Sequence, residues 1–349
     1  MNTEPLGGSD LRISKVVFGA MARSGGTPED RESLVRRAID LGLTTIDTAP
    51  LYEFGDSERW VGRAIQGRRD RLVIATKVGL RWDDDHGDVL FSFTDRDGRV
   101  QSVRRDSRPS AIRNDVEGSL QRLGVDCLDL VQIHHPDRHV PIEDAIGALM
   151  NLRAEGKLRA VGVSNFDLAQ SERARRALGD VGLACLQLPY SLLDRGIEAR
   201  LLPWARRHGV SVLAYSPLAE GVLAKPPAFS RAAESWLHHA ANAPAIGGFV
   251  ERELQPVARD LSTTPATVAL AWVRANTGVI PIIGASRPHQ LEAAAAAARL
   301  DLSPATRARL DRASAELRPN RRAGRRVRDR VAARALGRAR GLWLRLRGG

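Results

Sequence analysis

The chain is poor in several residue types that would otherwise direct its reading. It holds two cysteines, three tyrosines and three methionines in 349 residues. Cys127 and Cys185 both lie in apolar, strand-like segments. That favours reduced core thiols over a disulfide framework or a cysteine-based metal site. No apolar run approaches the ~20 residues needed to span a bilayer, and the N-terminus lacks a basic-then-apolar leader. The expectation is a cytoplasmic protein. Gly-x-Gly-x-x-Gly is absent as well, so an open dinucleotide-binding sheet has no fingerprint here. Acidic balance is also lacking, with a net charge of +12.

That basicity is local. Residues 318–349 hold twelve arginines and one aspartate, a net of +11, so residues 1–317 carry only +1. The body is near neutral and has no electrostatic need of nucleic acid or membrane. In the tail Val327, Val331, Ala335, Leu342 and Leu346 recur at roughly helical spacing, with Trp343 beside them. Such a helix could lie on an anionic membrane or a nucleic acid. Gly324, Gly337 and Gly341 interrupt it, and the preferred reading is a disordered Arg/Ala-rich extension.

In the body, strand-like and helix-like segments alternate. After a polar lead, Leu6 to Ser14, that suits a hairpin, strands are expected at 16–19, 43–47, 72–77, 128–134, 158–164, 184–190, 211–215 and 279–283. Helices follow each: Arg31–Leu41 stopped by Gly42, Ser57–Ile65 with Ser57 as N-cap, Ser110–Leu123, Ile142–Glu155, Leu168–Leu178, Glu198–His208, Glu251–Asp260 with Pro265–Asn276, and His289–Ala298. Ser303 caps one more, to Leu317. Two stretches break the rhythm, the Asp- and Arg-rich 81–109 and the Pro/Ala/Gly-rich 224–248. Eight βα units without obvious antiparallel pairs predict a single (β/α)8 barrel over residues 1–317, a TIM barrel, followed by a C-terminal helix and the basic tail.

In such a barrel the carboxy-terminal strand ends meet around one mouth. The second strand runs into Ile46-Asp47-Thr48-Ala49-Pro50-Leu51-Tyr52. Alone, this is as easily a strand ending in a solvated loop as a site. The third strand alternates so that Val73, Ala75 and Lys77 share a face, and neighbouring strands lie ~4.8 Å apart, so Asp47 and Lys77 can pair. Tyr52 can fold back over both, and the fourth strand brings His134 to the same rim. The set suits acid–base work at a carbonyl. A free phenol has a pKa of ~10, and a nearby ammonium draws it down while an aspartate keeps the lysine placed and charged. A histidine can orient the carbonyl oxygen or help pass the proton.

Here the sequence resembles the aldo-keto reductase superfamily, over roughly residues 5–317. The matching stretches are Ile46–Tyr52, Phe54-Gly55-Asp56-Ser57-Glu58, Ala75-Thr76-Lys77 and Gln132-Ile133-His134-His135-Pro136. Gly156-Lys157, Gly162-Val163-Ser164-Asn165-Phe166, Ala214-Tyr215-Ser216-Pro217-Leu218 and Gly284-Ala285-Ser286-Arg287-Pro288 follow in order. The resemblance implies an NADPH-dependent oxidoreductase, with NADH as an alternative cofactor, that reduces an aldehyde or ketone. Tyr52 would be the proton donor, Asp47 and Lys77 would tune it, and His134 would position the substrate oxygen. Ser164, Asn165 and Gln187 would bind the nicotinamide carboxamide, and Tyr215 would stack on the ring. Ser216 and the loop Leu218–Gly221 would border the pyrophosphate. Gly284, Ser286, Arg287 and Gln290 would surround the adenosine phosphate at a helix start, where N–H groups favour anions.

Three departures accompany the match. Ala293–Ala298, six alanines, replace the Glu-Asn that usually holds adenine, leaving Arg287 as the clear cation for a 2′-phosphate. Glu53 stands where glycine is common. The excursion 81–109, with Trp82, Phe91 and Phe93, is longer than in simpler members and either walls the substrate site or packs on itself. The same residues would serve oxidation of an alcohol or sugar, and some superfamily members bind nicotinamide as regulatory subunits. His134-His135 and His238-His239 lack ligand-spaced companions, so no metal is expected. Gly162–Phe166 lacks the last glycine of a nucleophile elbow. Trp60, Trp204 and Trp272 read as core.

Overall fold

A computed structural model of the chain describes residues 3–21, 27–94, 99–225, 229–230 and 235–321. The tail beyond residue 321, on which the amphipathic and disordered readings rest, lies outside them.

The strands, in chain order, begin with β1 (Thr3–Pro5) and β2 (Arg12–Ser14), an antiparallel hairpin, as the polar lead suggested. Then come β3 (Val17–Gly19), β4 (Thr45–Asp47) and β5 (Val73–Val78), followed by β6 (Leu80–Arg81), β7 (Asp88–Thr94) and β8 (Val100–Arg105). The series closes with β9 (Leu128–Ile133), β10 (Leu158–Ser164), β11 (Cys185–Pro189), β12 (Ser211–Tyr215) and β13 (Val279–Ile283). β3, β4, β5 and β9 to β13 form one closed parallel barrel, with β13 pairing back onto β3. This is the expected (β/α)8 architecture.

Around it lie α1 (Pro28–Asp40), α2 (Asp56–Ala64), α3 (Pro109–Leu123), α4 (Ile142–Ala154), α5 (Leu168–Leu178), α6 (Leu201–Arg207), α7 (Gln255–Asp260), α8 (Pro265–Arg274), α9 (Pro288–Ala297) and α10 (Pro304–Glu316). Four of their starts follow from side-chain acceptors. Thr27 and Asp167 form capping boxes with Asp30 and Gln170, and Thr264 and Ser303 accept from the third residue of their helices. Gly124 in a left-handed conformation ends α3.

Three expectations about helices are corrected. Ser57 is not an N-cap: Gly55, with φ 91°, holds that position. The buried Ser57 hydroxyl instead donates to the Ala20 carbonyl and bonds Thr48, joining three elements. The helix expected at 251–260 opens as a wide turn over Val250–Leu254 and becomes regular only from Gln255, where Pro256 brings no N–H to the ladder. The helix expected from Glu198 begins at Leu201, because Glu198 is engaged by Arg195 and Tyr190.

The core has two parts. Outward-facing strand residues pack under the helices, with Trp60, Trp204 and Trp272 buried as expected. Inside the barrel Val17, Ala75, Leu130, Ala160, Cys185, Leu213 and Ile280 form an apolar layer, which Leu6, Leu11 and Ile13 of the β1–β2 hairpin plug from the amino-terminal end. Two residues further along β5, β9 and β11 the interior turns polar, at Lys77, Gln132 and Gln187. The long excursion leaves from β5 and folds as the β6–β8–β7 sheet over the carboxy-terminal end.

Candidate active site

Asp47 is the last residue of β4 and is 2 % exposed, while Lys77 lies within β5 and is fully buried. Parallel pairing sets Asp47 against Ala75, so Lys77 points inward just above that pair. Its Nζ donates to Asp47 Oδ2 at 2.7 Å, to the Thr48 carbonyl at 3.0 Å and to the Tyr52 hydroxyl at 3.1 Å. All three ammonium donors are therefore committed, and the phenol accepts rather than donates toward the lysine. The proton of Tyr52 is free for another acceptor. The turn that brings Tyr52 back runs through Glu53 and Phe54, both left-handed at φ 48° and 54°. Glu53 is buried beside it. His134 directly follows β9, its N–H bonded to the Val78 carbonyl, and its ring meets Tyr52 edge-on at 5.9 Å. Asp47, Tyr52, Lys77 and His134 are thus brought together.

The electrostatics differ in one respect from the sequence argument. Burial raises the Tyr52 pKa, and although Lys77 draws it down, Asp47 and Glu53 push it up again, so the net direction is upward. Burial disfavours the Lys77 ammonium, but Asp47 and Tyr52 more than offset this and hold it charged. Burial, with Lys77 and His135 nearby, keeps His134 well below the usual histidine range. Burial and then Arg105 lower His135 to about 4. At neutral pH the site comprises a protonated phenol, an ammonium and neutral imidazoles.

The residues expected around a nicotinamide occupy the ends of the next three strands. Ser164 ends β10, and its hydroxyl donates to the Gln187 carbonyl. Asn165, at φ 62°, directs Nδ2 toward the His134 carbonyl, His135 Nε2 and Ser164 Oγ at 3.0–3.2 Å. Tyr215 ends β12 and donates its hydroxyl to Asn165 Oδ1. Gln187 Nε2 donates to Asp47 Oδ1 at 2.9 Å, whereas its Oε1 takes no hydrogen bond from any described residue. Ser216, Ala219, Glu220 and Gly221 all have positive φ, so the loop carrying Leu218 is tightly wound. Among the described residues seven non-glycine positions have positive φ, and six of them lie in loops after β4, β10 and β12. Strain gathered at one rim is a mark of a functional site.

On the far side, Gly284 follows β13, and Gln290 Oε1 accepts from the N–H groups of Ser286 and Arg287, a cap on α9. Arg287 is exposed, and its guanidinium makes no ion pair or hydrogen bond with any described residue. Ala294, Ala295 and Ala297 of the alanine run are buried as the packing face of α9. Trp82 and Phe93 pack against Phe54 at 5.4 and 5.7 Å, so the excursion's aromatics close over the Tyr52 turn. Among the described residues no group of three histidine, cysteine or carboxylate side chains could hold a metal ion.

Residues 15–315 match the aldo/keto reductase family. The chain belongs to that family. It is 34 % identical over 323 residues to the NADH-specific methylglyoxal reductase of Escherichia coli strain K12, covering 87 % of this chain and 96 % of that protein. It superposes on the glycerol dehydrogenase of Gluconobacter oxydans with a TM-score of 0.79 at 32 % identity, over 91 % and 97 % of the two chains. An aldo/keto reductase from Klebsiella pneumoniae, solved with NADP and acetate, gives 0.69 at 30 % identity over 91 % and 97 %. This chain is a barrel of eight parallel strands, and among its described residues no helix is long and apolar enough to cross a membrane.

Two participants escaped the sequence argument. Thr48 offers its carbonyl to Lys77, a main-chain contact that no residue type announces. Gln132 bonds Asp47 and Gln187. Its signal was present, as an amide inside a strand-like segment two residues before His134.

Proposed function

We propose that the chain is an NADPH-dependent carbonyl reductase in which Tyr52 protonates the oxygen of an aldehyde or ketone. The observation that carries this reading is the line Asp47–Lys77–Tyr52, in which the phenol accepts from an ammonium and keeps its own proton to give. A reduced nicotinamide, when bound, supplies the hydride. As negative charge develops on the carbonyl oxygen, Tyr52 delivers its proton there, and Lys77 stabilises the phenolate left behind. His134, neutral at this depth, donates to the same oxygen and fixes its direction. The Phe54, Trp82 and Phe93 cluster packs beside the turn that carries Tyr52.

The residues at the neighbouring strand ends fit the cofactor. Gln187 Oε1 is an acceptor suited to a carboxamide amine, Ser164 and Asn165 complete that contact, and Tyr215 supplies an aromatic face. Ser216, Leu218 and Gly221 border the diphosphate, while Gly284, Ser286, Arg287 and Gln290 take the adenosine end. An exposed guanidinium with no partner among described residues favours a 2′-phosphate, hence NADPH over NADH. The NADH-specific relative makes NADH the competing choice. The glycerol dehydrogenase relative supports the reverse reaction, in which the Tyr52 phenolate takes the alcohol proton.

Purified protein mixed with NADPH or NADH and a panel of aldehydes and ketones tests this, by the absorbance of the reduced cofactor. Turnover that Tyr52→Phe lowers by about 10²–10⁴-fold is expected. Cofactor binding without turnover in either direction would place the chain among nicotinamide-binding regulators instead.

A further inference from the structure

Gln132 is fully buried inside the barrel, on β9 directly beside Lys77 in register. Its Nε2 donates to Asp47 Oδ1 at 3.2 Å. Its Oε1 accepts from Gln187 Nε2 at 3.1 Å and from Cys185 Sγ at 3.6 Å. Gln187 Nε2 also donates to Asp47 Oδ1, so two amides share one carboxylate oxygen and leave Oδ2 to Lys77. The neighbouring strand makes room for this arrangement. A Cβ at Gly162 would stand 3.0 Å from Gln132 Cγ and 2.5 Å from Cys185 Sγ.

We infer that Gln132 is a positioning residue that fixes the Asp47 carboxylate for Lys77 and locks the Gln187 amide with its oxygen toward the nicotinamide. This rests on the reductase reading for the identity of that ligand. The physical case is one of cost. A buried amide is unfavourable unless its polar atoms are bonded, and a methionine of similar volume would fill this space against Leu130 and Ala160 without that demand. What methionine cannot do is orient. Without Gln132 the Asp47 carboxylate keeps Lys77 on Oδ2 but only Gln187 on Oδ1, one bond fewer to fix its rotation. A Gln187 amide without the Gln132 acceptor has only Asp47 Oδ1 to hold its –NH2 inward, so its oxygen is less firmly kept toward the carboxamide. The charged and titratable groups facing this network are Asp47 from β4, Tyr52 and Glu53 from the turn after it, Lys77 from β5, His134 and His135 after β9, and Cys185 on β11.

Gln132→Met and Gln132→Glu test the inference together, read by NADPH dissociation constant, melting temperature and the pH dependence of kcat. Gln132→Met is expected to weaken NADPH binding and lower kcat about tenfold each at all pH values, the size expected when reacting groups lose alignment. In Gln132→Glu the introduced carboxyl reproduces the amide's donor and acceptor only while protonated. Its cofactor affinity and kcat are therefore expected to approach wild type on acidification and to fall as pH rises through its titration. Wild-type affinity and pH dependence in both variants would overturn the inference. So would a defect in Gln132→Glu that acidification does not relieve, or loss of folding in both, which would make the side chain merely structural. If one variant fails to fold, the other decides. A wild-type protein that binds NADPH but turns over no carbonyl would sink the reductase reading alone, because the dissociation constants still test Gln132.

Discussion

On the barrel strands two buried aspartates have basic partners, at opposite ends, and they are built differently. Asp129 lies near the amino-terminal end of β9, where it accepts from the Ile74 N–H and pairs with Arg69 at 2.7 Å and Arg159 at 3.1 Å. Those arginine side chains are 28 % and 45 % exposed, so solvent shares the charge. Asp47, at the other end, pairs with a lysine of 0 % exposure, and two amides bond its second oxygen. The lower pair ties strand ends together at modest desolvation cost. The upper one places an ammonium where only a carboxylate, a carbonyl and a phenol can answer it. An ion pair becomes chemically useful when its charge is sealed in and a titratable group is its remaining outlet.

Removing the cation from the upper pair should break the comparison most severely. Lys77→Met leaves Asp47 uncompensated and Tyr52 without its donor. Activity is expected to fall about 10³-fold or more, at a stability cost of about 3–5 kcal/mol, measured by turnover and chemical denaturation. Tyr52→Phe separates the two effects, with a loss in kcat of about 10²–10⁴-fold and little change in melting temperature or NADPH affinity. Arg287→Ala probes a cation that is neither sealed nor paired among described residues. It should weaken NADPH about tenfold by equilibrium titration and leave NADH nearly unaffected.

The pH profile sharpens the contrast without mutation. Tyr52 must carry its proton for reduction, and its pKa is raised, so the reduction rate should hold steady through neutrality and fall only above the ordinary phenol range near pH 10. His134 is already neutral at pH 7, so no inflection is expected near 6.5. Asp129→Asn gives the smallest catalytic effect. kcat should stay within about twofold, while loss of about 2 kcal/mol lowers the melting temperature by roughly 3 °C, read calorimetrically.

The barrel was legible in the sequence because its strands are buried on both faces, and α10 because Ser303 announces its start; the caps Thr27, Asp167 and Thr264 emerged only with the structure. Asp47, Lys77 and His134 were legible because strand periodicity fixes which way a side chain points and where it emerges. Tyr52 required one further step, a turn through Glu53 and Phe54 in conformations that neither residue type favours. The direction of the Tyr52 shift was not legible, since it depends on burial by Phe54, Trp82 and the β7–β8 hairpin, distant in sequence and joined only by packing. Ser57 misled for a related reason: a good capping residue was drawn into the core to serve Ala20 and Thr48.

The apolar layer beneath Asp47 has a consequence for proton traffic. Ala75, Leu130, Ala160, Leu213 and Ile280, plugged from below by Leu6, Leu11 and Ile13, form an insulating floor with no hydrogen-bonded wire through it among the described residues. In the proposed reaction a phenol that has given up its proton is therefore recharged only through the mouth, along the route by which the alcohol departs. Tyr52 is half-buried at that mouth, and the barrel works as a one-ended cell that is refilled where it discharges.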